Sequence, residues 1–229
     1  APVRAPLDPD ATILRLFTSG TTGQAKNVPK SWGHLDEVRE LERRFGERIP
    51  ADARVFASAP HQHLYGLLFR VLWPLAAGRP FQAESLLHVE ELLPRLAECE
   101  RVILAATPVH LRRLCQREGL GELRGRLRAV FSSGGPLPAE VAAEVERALG
   151  DAPIEGFGST ETGGVATRQQ AQAAPAPVAW SPLDGVRVRR DEPGGELRVC
   201  SPFVSVGAGD AAGPLEFAMG DRVTLTDDD

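Results

Sequence analysis

The segment with the clearest capacity for chemistry is LFTSGTTGQAK, at residues 16–26. Glycine lets backbone N–H groups approach an anion closely, and hydroxyl groups add hydrogen-bond donors. Lys26 adds a mobile positive charge. A loop of this composition, which follows a β-prone run at 13–17, is suited to binding phosphate oxygens. The loop residues before the lysine are Thr18, Ser19, Gly20, Thr21, Thr22 and Gly23.

The spacing of this loop excludes the common nucleotide P-loop. That motif requires G-x-x-x-x-G-K-(S/T), whereas Gln24 and Ala25 separate Gly23 from Lys26 here. Taken alone, the loop is also compatible with a small polar turn that binds nothing.

A second segment, IEGFGSTETGG at 154–164, combines backbone freedom with a hydroxyl and a carboxylate. Gly156 and Gly158 free the backbone, Thr160 supplies the hydroxyl and Glu161 the carboxylate. Magnesium takes hard oxygen ligands from one or two carboxylates together with substrate phosphates. The alternative is a Gly-rich turn that opens a helix, with Glu161 favoured in the first turn by the helix dipole.

Three weaker segments carry further polar groups: SSGGPL at 132–137, PHQHLYG at 60–66 and MGD at 219–221. The Asp221 carboxylate could accept hydrogen bonds from two vicinal hydroxyls. A lone histidine such as His63 is usually structural, so its functional interpretation depends on the other segments.

The string TSGTTGQAK resembles the phosphate-loop signature of the adenylate-forming superfamily. This superfamily contains acyl- and aryl-CoA ligases, peptide-synthetase adenylation domains and luciferases. Its usual form is (S/T)-S-G-(S/T)-T-G-x-P-K-G, from which the chain departs at Ala25 and Asn27. The other four segments resemble further motifs of the superfamily in the superfamily's order, and GELRV at 195–199 resembles the strand before its T-G-D motif.

The resemblance implies a role for each residue. Lys26 and the loop would hold the β- and γ-phosphates of ATP, Thr160 the α-phosphate, Glu161 a Mg²⁺ ion and Asp221 the ribose. The remaining nucleotide-binding residues would be Gly134, Gly135, Phe157 and Gly158. The acid-binding residues would be His63, Gly66, Ser133 and Gly156.

The implied activity is ATP-dependent activation of a carboxylic acid as an acyl-adenylate, with CoA or a carrier-protein thiol as acceptor. Amino-acid-activating relatives carry an aspartate in F-D-x-S, which this chain lacks, so we expect an aryl or fatty acid. Tyr65, Phe69 and Phe157 favour an aryl acid. The alternative is a non-catalytic module of the same fold that binds a nucleotide or acyl-adenylate.

The elements that position these segments alternate between strand and helix. Short apolar strands are predicted at 54–59, 79–84, 101–106 and 128–133, and Thr107 with Pro108 predicts a helix start. Helices are predicted at 34–45, 64–77, 89–98, 108–118 and 138–149. This order predicts an α/β fold with a mainly parallel sheet and helices on both faces, with ligands at the carboxyl ends of the strands.

The pattern changes near residue 164. Short strands at 165–168, 186–190, 196–201 and 222–226, with a hairpin turn at 191–196, predict a small β-rich, barrel-like subdomain. We therefore expect a nucleotide- and acid-binding core at 1–164 and the subdomain at 165–229. Both ends resemble cuts in a longer chain, so the superfamily's N-terminal subdomain and its lysine-bearing C-terminal domain are expected to be absent.

Composition excludes several other classes. The 229 residues carry a net charge of −5, which argues against a nucleic-acid partner. The longest apolar run, 64–77, is too short and too interrupted to span a bilayer, and no signal peptide is recognisable. Three widely spaced cysteines suit neither a disulfide framework nor a zinc site, so a cytoplasmic location is expected.

Overall fold

A computed structural model describes residues 8–19, 25–84, 86, 88–171, 178–192, 195–205 and 215–225. The described residues form two compact units. The hairpin unit comprises those of Ala1–Glu37, Ser159–Gly163 and Gly185–Asp229. The sheet unit comprises those of Val38–Gly158 and Gly164–Asp184. The division at residue 164 expected from the sequence stays a prediction.

The elements follow one another as strands and short helices. The strands are β1 (Thr12–Ser19), β2 (Ala25–Ser31), β3 (Arg54–Ala57), β4 (Val102–Ala106), β5 (Leu127–Ser132), β6 (Ile154–Ser159), β7 (Gly163–Gln169), β8 (Ser181–Pro182), β9 (Arg187–Arg190), β10 (Glu196–Ser201) and β11 (Leu215–Arg222). The helices are α1 (Trp32–Leu35), α2 (Glu37–Phe45), α3 (Leu64–Leu67), a π-helical segment (Leu68–Leu72), α4 (Trp73–Ala77), α5 (Val89–Ala97), α6 (Pro108–Cys115) and α7 (Ala139–Leu149), with 3₁₀ turns at Gly46–Arg48 and Leu120–Leu123.

Within the described residues, strands β3 to β8 form one six-stranded sheet in chain order. Strands β3 to β6 pair in parallel, and β7 pairs with β8 in antiparallel fashion. Every residue of β4 is buried, as expected for a strand covered on both faces. The predicted mainly parallel α/β sheet is therefore confirmed.

Helices cover both faces of this sheet because successive side chains of a strand point to opposite sides. Val130 of β5 joins the apolar core that includes residues of α5, α6 and α7. Its neighbour Phe131 packs on the other face, where its ring centroid lies 4.9–5.6 Å from those of Phe45, Phe69 and Trp73.

The helix start at residue 107 is also confirmed. The Thr107 hydroxyl accepts the N–H of His110 at 3.4 Å, and Pro108 is the first helical residue. The helix predicted at 34–45 is instead broken at Asp36, whose N–H bonds the carbonyl of Gly33 at 3.2 Å. The strand predicted at 79–84 is reduced to one bridge, Val55 to Phe81, because Pro80 lacks the N–H that a ladder needs.

The hairpin unit contains the smaller antiparallel sheets. Strands β1 and β2 form a hairpin, with Leu16 opposite Val28, and β9, β10 and β11 form a three-stranded sheet. The hairpin turn predicted at 191–196 is confirmed by the bond from Asp191 N–H to the Glu196 carbonyl, 2.8 Å. The strand predicted at 222–226 is wrong, since β11 ends at Arg222.

Two further corrections concern the segment before the three-stranded sheet. Residues 154–159, where no strand was predicted, form strand β6, and the strand predicted at 165–168 is β7 of the six-stranded sheet. Across the described part of the chain, no helix combines the length and hydrophobicity that a membrane crossing requires. All three cysteines are free thiols, and burial raises the pKa of the Cys115 thiol to about 11.

Candidate functional site

The hairpin unit brings Lys26 and Glu161 together. Lys26 lies on β2, Glu161 lies in the turn between β6 and β7, and Nζ is 3.9 Å from Oε1. The Lys26 side chain is 60% exposed and that of Glu161 16%. Because the separation is long and the ammonium is exposed, the pair contributes little stability. Residues from two distant motifs thus form one charged pair.

A pair of hydroxyl side chains fixes the turn that carries Glu161. The Ser159 N–H donates to the Thr162 hydroxyl at 3.0 Å, and the Thr162 N–H donates to the Ser159 hydroxyl at 3.1 Å. Thr162 also donates to the Gly163 carbonyl at 2.9 Å. These local bonds hold the backbone of Thr160 and Glu161 between them.

Gly163 closes the turn in a conformation that only glycine tolerates. Its φ is +68°, and a Cβ there would lie 2.9 Å from both Glu37 Oε2 and Phe203 Cβ. Strand β7 begins at Gly163, so the alternative in which the Gly-rich segment opens a helix is wrong.

The main chain of Glu161 has two further anchors. Its carbonyl accepts the N–H of Ser205 at 2.8 Å and Lys30 Nζ at 3.4 Å, and Lys30 also donates to the Phe203 carbonyl at 3.0 Å. Sequence analysis missed Lys30, Ser205 and Gly163. The hydrogen bonds of Lys30 join residues 131 and 173 positions apart in the chain, so no local sequence pattern could predict them.

The phosphate-loop residues lie at the hairpin of β1 and β2. Thr18 is opposite Lys26, and Ser19 is opposite Ala25. Gly20, Thr21, Thr22 and Gly23 lie outside the described residues.

Asp221 lies within strand β11 and is exposed. The pairing of β10 with β11 is irregular here, and Gly220 adopts φ +79° in the left-handed region. Sequence analysis had placed this motif before a strand. Among the described residues, no hydrogen bond or ion pair joins Asp221 to Lys26 or Glu161.

The sheet unit brings Ser133 and Gly156 together, because the Ser133 hydroxyl donates to the Gly156 carbonyl at 2.8 Å. Both residues were predicted to border the acid. Gly134 and Gly135 follow as an exposed turn, in which Gly134 has φ +84°. Gly158 is the exposed residue of β6.

Phe157 belongs to an aromatic stack that the sequence did not reveal. Its ring centroid lies 5.5 Å from that of Trp180, and Arg168 Cζ lies 4.4 Å from the Trp180 centroid. Arg168 donates to both oxygens of Glu155 at 2.9 and 3.1 Å, and the Glu155 side chain is only 4% exposed. The bidentate ion pair fixes Arg168, and with it one side of the stack.

The segment around His63 has a clear structural explanation. His63 is the exposed N-cap residue of α3, and its carbonyl accepts the N–H of Leu67 at 2.9 Å. Tyr65 donates its hydroxyl to the Ala106 carbonyl at 3.2 Å, and burial raises the pKa of Tyr65 far above its usual range. Tyr65 also stacks on Phe69, with ring centroids 4.9 Å apart.

Gly66 is expected to be required for folding. A Cβ at this position would lie 2.6 Å from the Pro60 carbonyl carbon and 2.7 Å from the Ala59 oxygen, both of the backbone. Gly66→Ala should therefore lower the free energy of unfolding by about 1–3 kcal/mol, as overpacking does. Urea denaturation measures the loss. Gly121→Ala, where a Cβ meets nothing within 4 Å, is the control, and equal stability of the two variants would contradict the prediction.

The donor set suits a Mg²⁺ ion shared with a nucleotide. Within the described residues, no group of three or more His, Cys, Asp or Glu side chains could enclose a metal. Glu161 instead offers one largely buried carboxylate beside an exposed ammonium. Magnesium is commonly held by one or two carboxylates together with substrate phosphates, so these residues fit that ion.

Comparisons with known proteins identify the family of the chain. The family model described as AMP-binding enzyme matches residues 1–206. Benzoate–CoA ligase of Thauera aromatica is 30% identical over 204 residues, which cover 84% of this chain and 37% of the relative. 4-Coumarate–CoA ligase of Rhodobacter capsulatus is 32% identical over 158 residues, covering 69% of this chain and 40% of the relative.

The fold is shared with a solved structure. The crystal structure of ATP-bound MatB from Rhodopseudomonas palustris superposes with a TM-score of 0.76 at 26% identity, covering 90% of this chain and 43% of that one. The chain thus spans about two fifths of the length of these relatives. Because the family model matches most of the sequence, the chain belongs to the family of AMP-binding enzymes.

Proposed function

We propose that this chain is the nucleotide- and acid-binding part of an ATP-dependent acid–thiol ligase that forms an acyl-adenylate. The observation that supports this most directly is the pair of Lys26 and Glu161, in which Glu161 lies in a turn whose main chain is held by hydrogen bonds from Lys30 and Ser205. A cation and a carboxylate at this separation can bind the phosphates of a nucleotide and its metal ion from two sides.

Each candidate residue has a chemical task in this proposal. Lys26 and the hydroxyls of the loop from Thr18 to Gly23 bind the β- and γ-phosphates, and Thr160 binds the α-phosphate. Asp221 accepts the ribose hydroxyls. Phe157, with Gly158, Gly134 and Gly135, borders the base, and the stack with Trp180 keeps the Phe157 ring in place.

Glu161 holds the metal ion in this proposal. Bound Mg²⁺ would supply positive charge against the phosphate oxygens. The protein's own part is to orient ATP and acid and to balance the charge that moves to pyrophosphate. The carboxylate of the acid attacks the α-phosphorus, the bond to the β-phosphate oxygen breaks, and acyl-adenylate and pyrophosphate form.

An aryl acid fits this chain best. Relatives of the chain include proteins described as benzoate–CoA and 4-coumarate–CoA ligases. Tyr65 and Phe69 place stacked aromatic rings beside the segment that carries His63 and Gly66. Ser133 and Gly156 complete the proposed acid-binding set. The acceptor is CoA or a carrier-protein thiol, and the location is the cytoplasm.

A second candidate function is binding of an acyl-adenylate without turnover. The departures from the family motif at Ala25 and Asn27 favour it, whereas the paired Lys26 and Glu161 favour the ligase. Acid-dependent exchange between pyrophosphate and ATP separates the two functions, because only the ligase catalyses it. We expect the 229-residue chain to bind the adenylate but to exchange slowly, since the adenylation lysine of the superfamily belongs to a further domain.

Thermal denaturation with a non-hydrolysable benzoyl-adenylate analogue and Mg²⁺ tests the proposed site. A ligand that binds only the folded state at a hundredfold excess over its Kd adds about 2.7 kcal/mol to stability. We expect a shift of the melting temperature for the chain and its loss in Asp221→Ala. Asp52→Ala, which alters an exposed aspartate paired with Arg101, should retain the shift. No shift in the unaltered chain would contradict the proposed function.

A further inference from the structure

The chain contains two lysines, Lys26 and Lys30, although lysine and arginine together number 26. Both lie on strand β2, yet their surroundings differ completely. The side chain of Lys26 is 60% exposed, whereas Lys30 is 0% exposed. A chain that otherwise uses arginine therefore places a lysine in its interior, beside the exposed lysine that the proposed function assigns to phosphate.

The position of Lys30 suits the compact ammonium group. An ammonium has three rotatable donors on a flexible stem, whereas the planar guanidinium of arginine needs a wider, fixed fork of acceptors. Lys30 Nζ donates to the carbonyls of Phe203 and Glu161 at 3.0 and 3.4 Å. A buried charge is costly unless hydrogen bonds compensate it, and these two carbonyls contribute to that compensation.

One of those carbonyls belongs to Glu161 itself. It also accepts the Ser205 N–H at 2.8 Å, so two donors occupy the two lone pairs of a single carbonyl oxygen. That arrangement fixes the peptide plane that follows Glu161. The bonds between Ser159 and Thr162 fix the same turn from its other side. The Cα–Cβ direction of Glu161, and hence the reach of its carboxylate, is set by these bonds.

We infer that Lys30 is a positioning residue, which holds the main chain of Glu161 so that the Glu161 carboxylate faces the metal ion of a bound nucleotide. The inference rests on the proposed function. Lys30 does not touch the ligand; it acts through the carbonyl of Glu161. The alternative is that Lys30 only ties β2 to the segment around Phe203.

The test measures the affinity of the chain for ATP by calorimetry, with Mg²⁺ and with EDTA. The ratio of the two dissociation constants is the magnesium increment. Loss of a group that orients a metal ligand typically costs about 10- to 100-fold in metal affinity. We expect Lys30→Met, which keeps the length of the side chain but removes its charge, to reduce the increment by about tenfold or more. In a Glu161→Gln background, Lys30→Met should reduce it no further.

Ser205→Ala is the matched control. The Ser205 hydroxyl donates to the Pro29 carbonyl, so this variant weakens the tie between the same two segments. It leaves the Ser205 N–H on Glu161 in place. We expect a lower melting temperature with an unchanged magnesium increment. If Lys30→Met also kept the increment, Lys30 would be a structural tie and the inference would be overturned.

A second measurement leaves Lys30 unaltered. With ¹³Cε-lysine labelling, the chain has two lysine side-chain signals, which Lys26→Arg assigns. Adding Mg²⁺ to the ATP-bound chain should shift the Lys30 signal. Glu161 would bind the metal ion, and Lys30 donates a hydrogen bond to the carbonyl of Glu161. A fixed Lys30 signal beside a moving Lys26 signal would overturn the inference alone. If the chain showed no magnesium-dependent binding of ATP at all, both the inference about Lys30 and the proposed function would be overturned.

Discussion

Replacing Lys26 with methionine is expected to weaken binding of ATP with Mg²⁺ and to leave binding of AMP almost unchanged. Lys26 would bind the β- and γ-phosphates, which AMP lacks. Hydrogen bonds to charged groups contribute about 1.5–3 kcal/mol, so the Kd for ATP should rise roughly 10- to 100-fold. Its ion pair with Glu161 is long, at 3.9 Å, and the Lys26 ammonium is exposed, so the fold should tolerate the change. Calorimetric titration with both nucleotides measures the effect.

The paired nucleotides make this result specific. Lys26→Arg keeps the charge and should retain most of the preference for ATP. Glu98→Gln removes a carboxylate from an exposed ion pair with Arg95, and should change neither Kd. An equal loss of ATP and AMP affinity in Lys26→Met would contradict the assignment of Lys26 to the terminal phosphates.

Replacing Arg79 with alanine is expected to cause the largest loss of stability. The Arg79 side chain is 2% exposed and donates to both oxygens of Glu42, at 2.8 and 3.1 Å. It also donates to the Pro50 carbonyl at 2.8 Å and lies 5.7 Å from the centroid of the Trp73 ring. Breaking a fully buried pair by removing one partner costs about 3–5 kcal/mol. Because the Glu42 side chain is 39% exposed, we expect a loss near or below the lower end of that range. Urea denaturation at neutral pH measures this loss in the free energy of unfolding.

An exposed arginine provides the comparison. Arg95→Ala removes a side chain that is 51% exposed, and surface changes of this kind usually stay within about 0.5 kcal/mol. A comparable stability of the Arg79 and Arg95 variants would show that the Glu42 network contributes little to folding.

The same network predicts an acid-dependent component of stability. Burial raises the pKa of the Glu42 carboxyl, but hydrogen bonds from Arg79 and Trp73 outweigh it and hold the pKa below the ordinary value of 4.5. A depressed pKa in the folded state stabilises the protein above the unfolded pKa, and the stability is lost as the pH falls through the folded value. Glu42→Gln should therefore flatten the decline of the melting temperature below about pH 4.5.

The sheet core was predictable because its signals are local. Strand β4 is a short, continuous apolar run, and the Thr107–Pro108 pair marks a helix start by its own chemistry. Strand β6 was missed because Gly156 and Gly158 suppress the propensity signal, and pairing with β5 supplies what the sequence lacks. The end of β11 was misplaced because residues 222–226 alternate like a strand.

The residues of the candidate site likewise include some that the sequence indicated and some that it did not. Lys26 and Glu161 lie in segments of distinctive composition, which marked both residues as candidates before their pairing was known. Lys30 lies in an unremarkable strand, and it donates to main-chain carbonyls, which a residue of any type could supply. The sequence also provided no indication of the roles of Trp180 and Arg168, because their stack on Phe157 forms only when β7 and β8 are in place.

The three-segment composition of the hairpin unit has a consequence for the order in which a nascent chain can fold. The sheet unit occupies a nearly continuous stretch, Val38–Asp184, so its strands can pair during synthesis. Lys30, by contrast, can form its hydrogen bond to the Phe203 carbonyl only after 173 further residues have been synthesised. Until then, the hydrogen bond from the buried ammonium to that carbonyl cannot form. On a ribosome the β1–β2 hairpin should thus stay open to proteases until residue 205 has emerged, well after the parallel strands are protected.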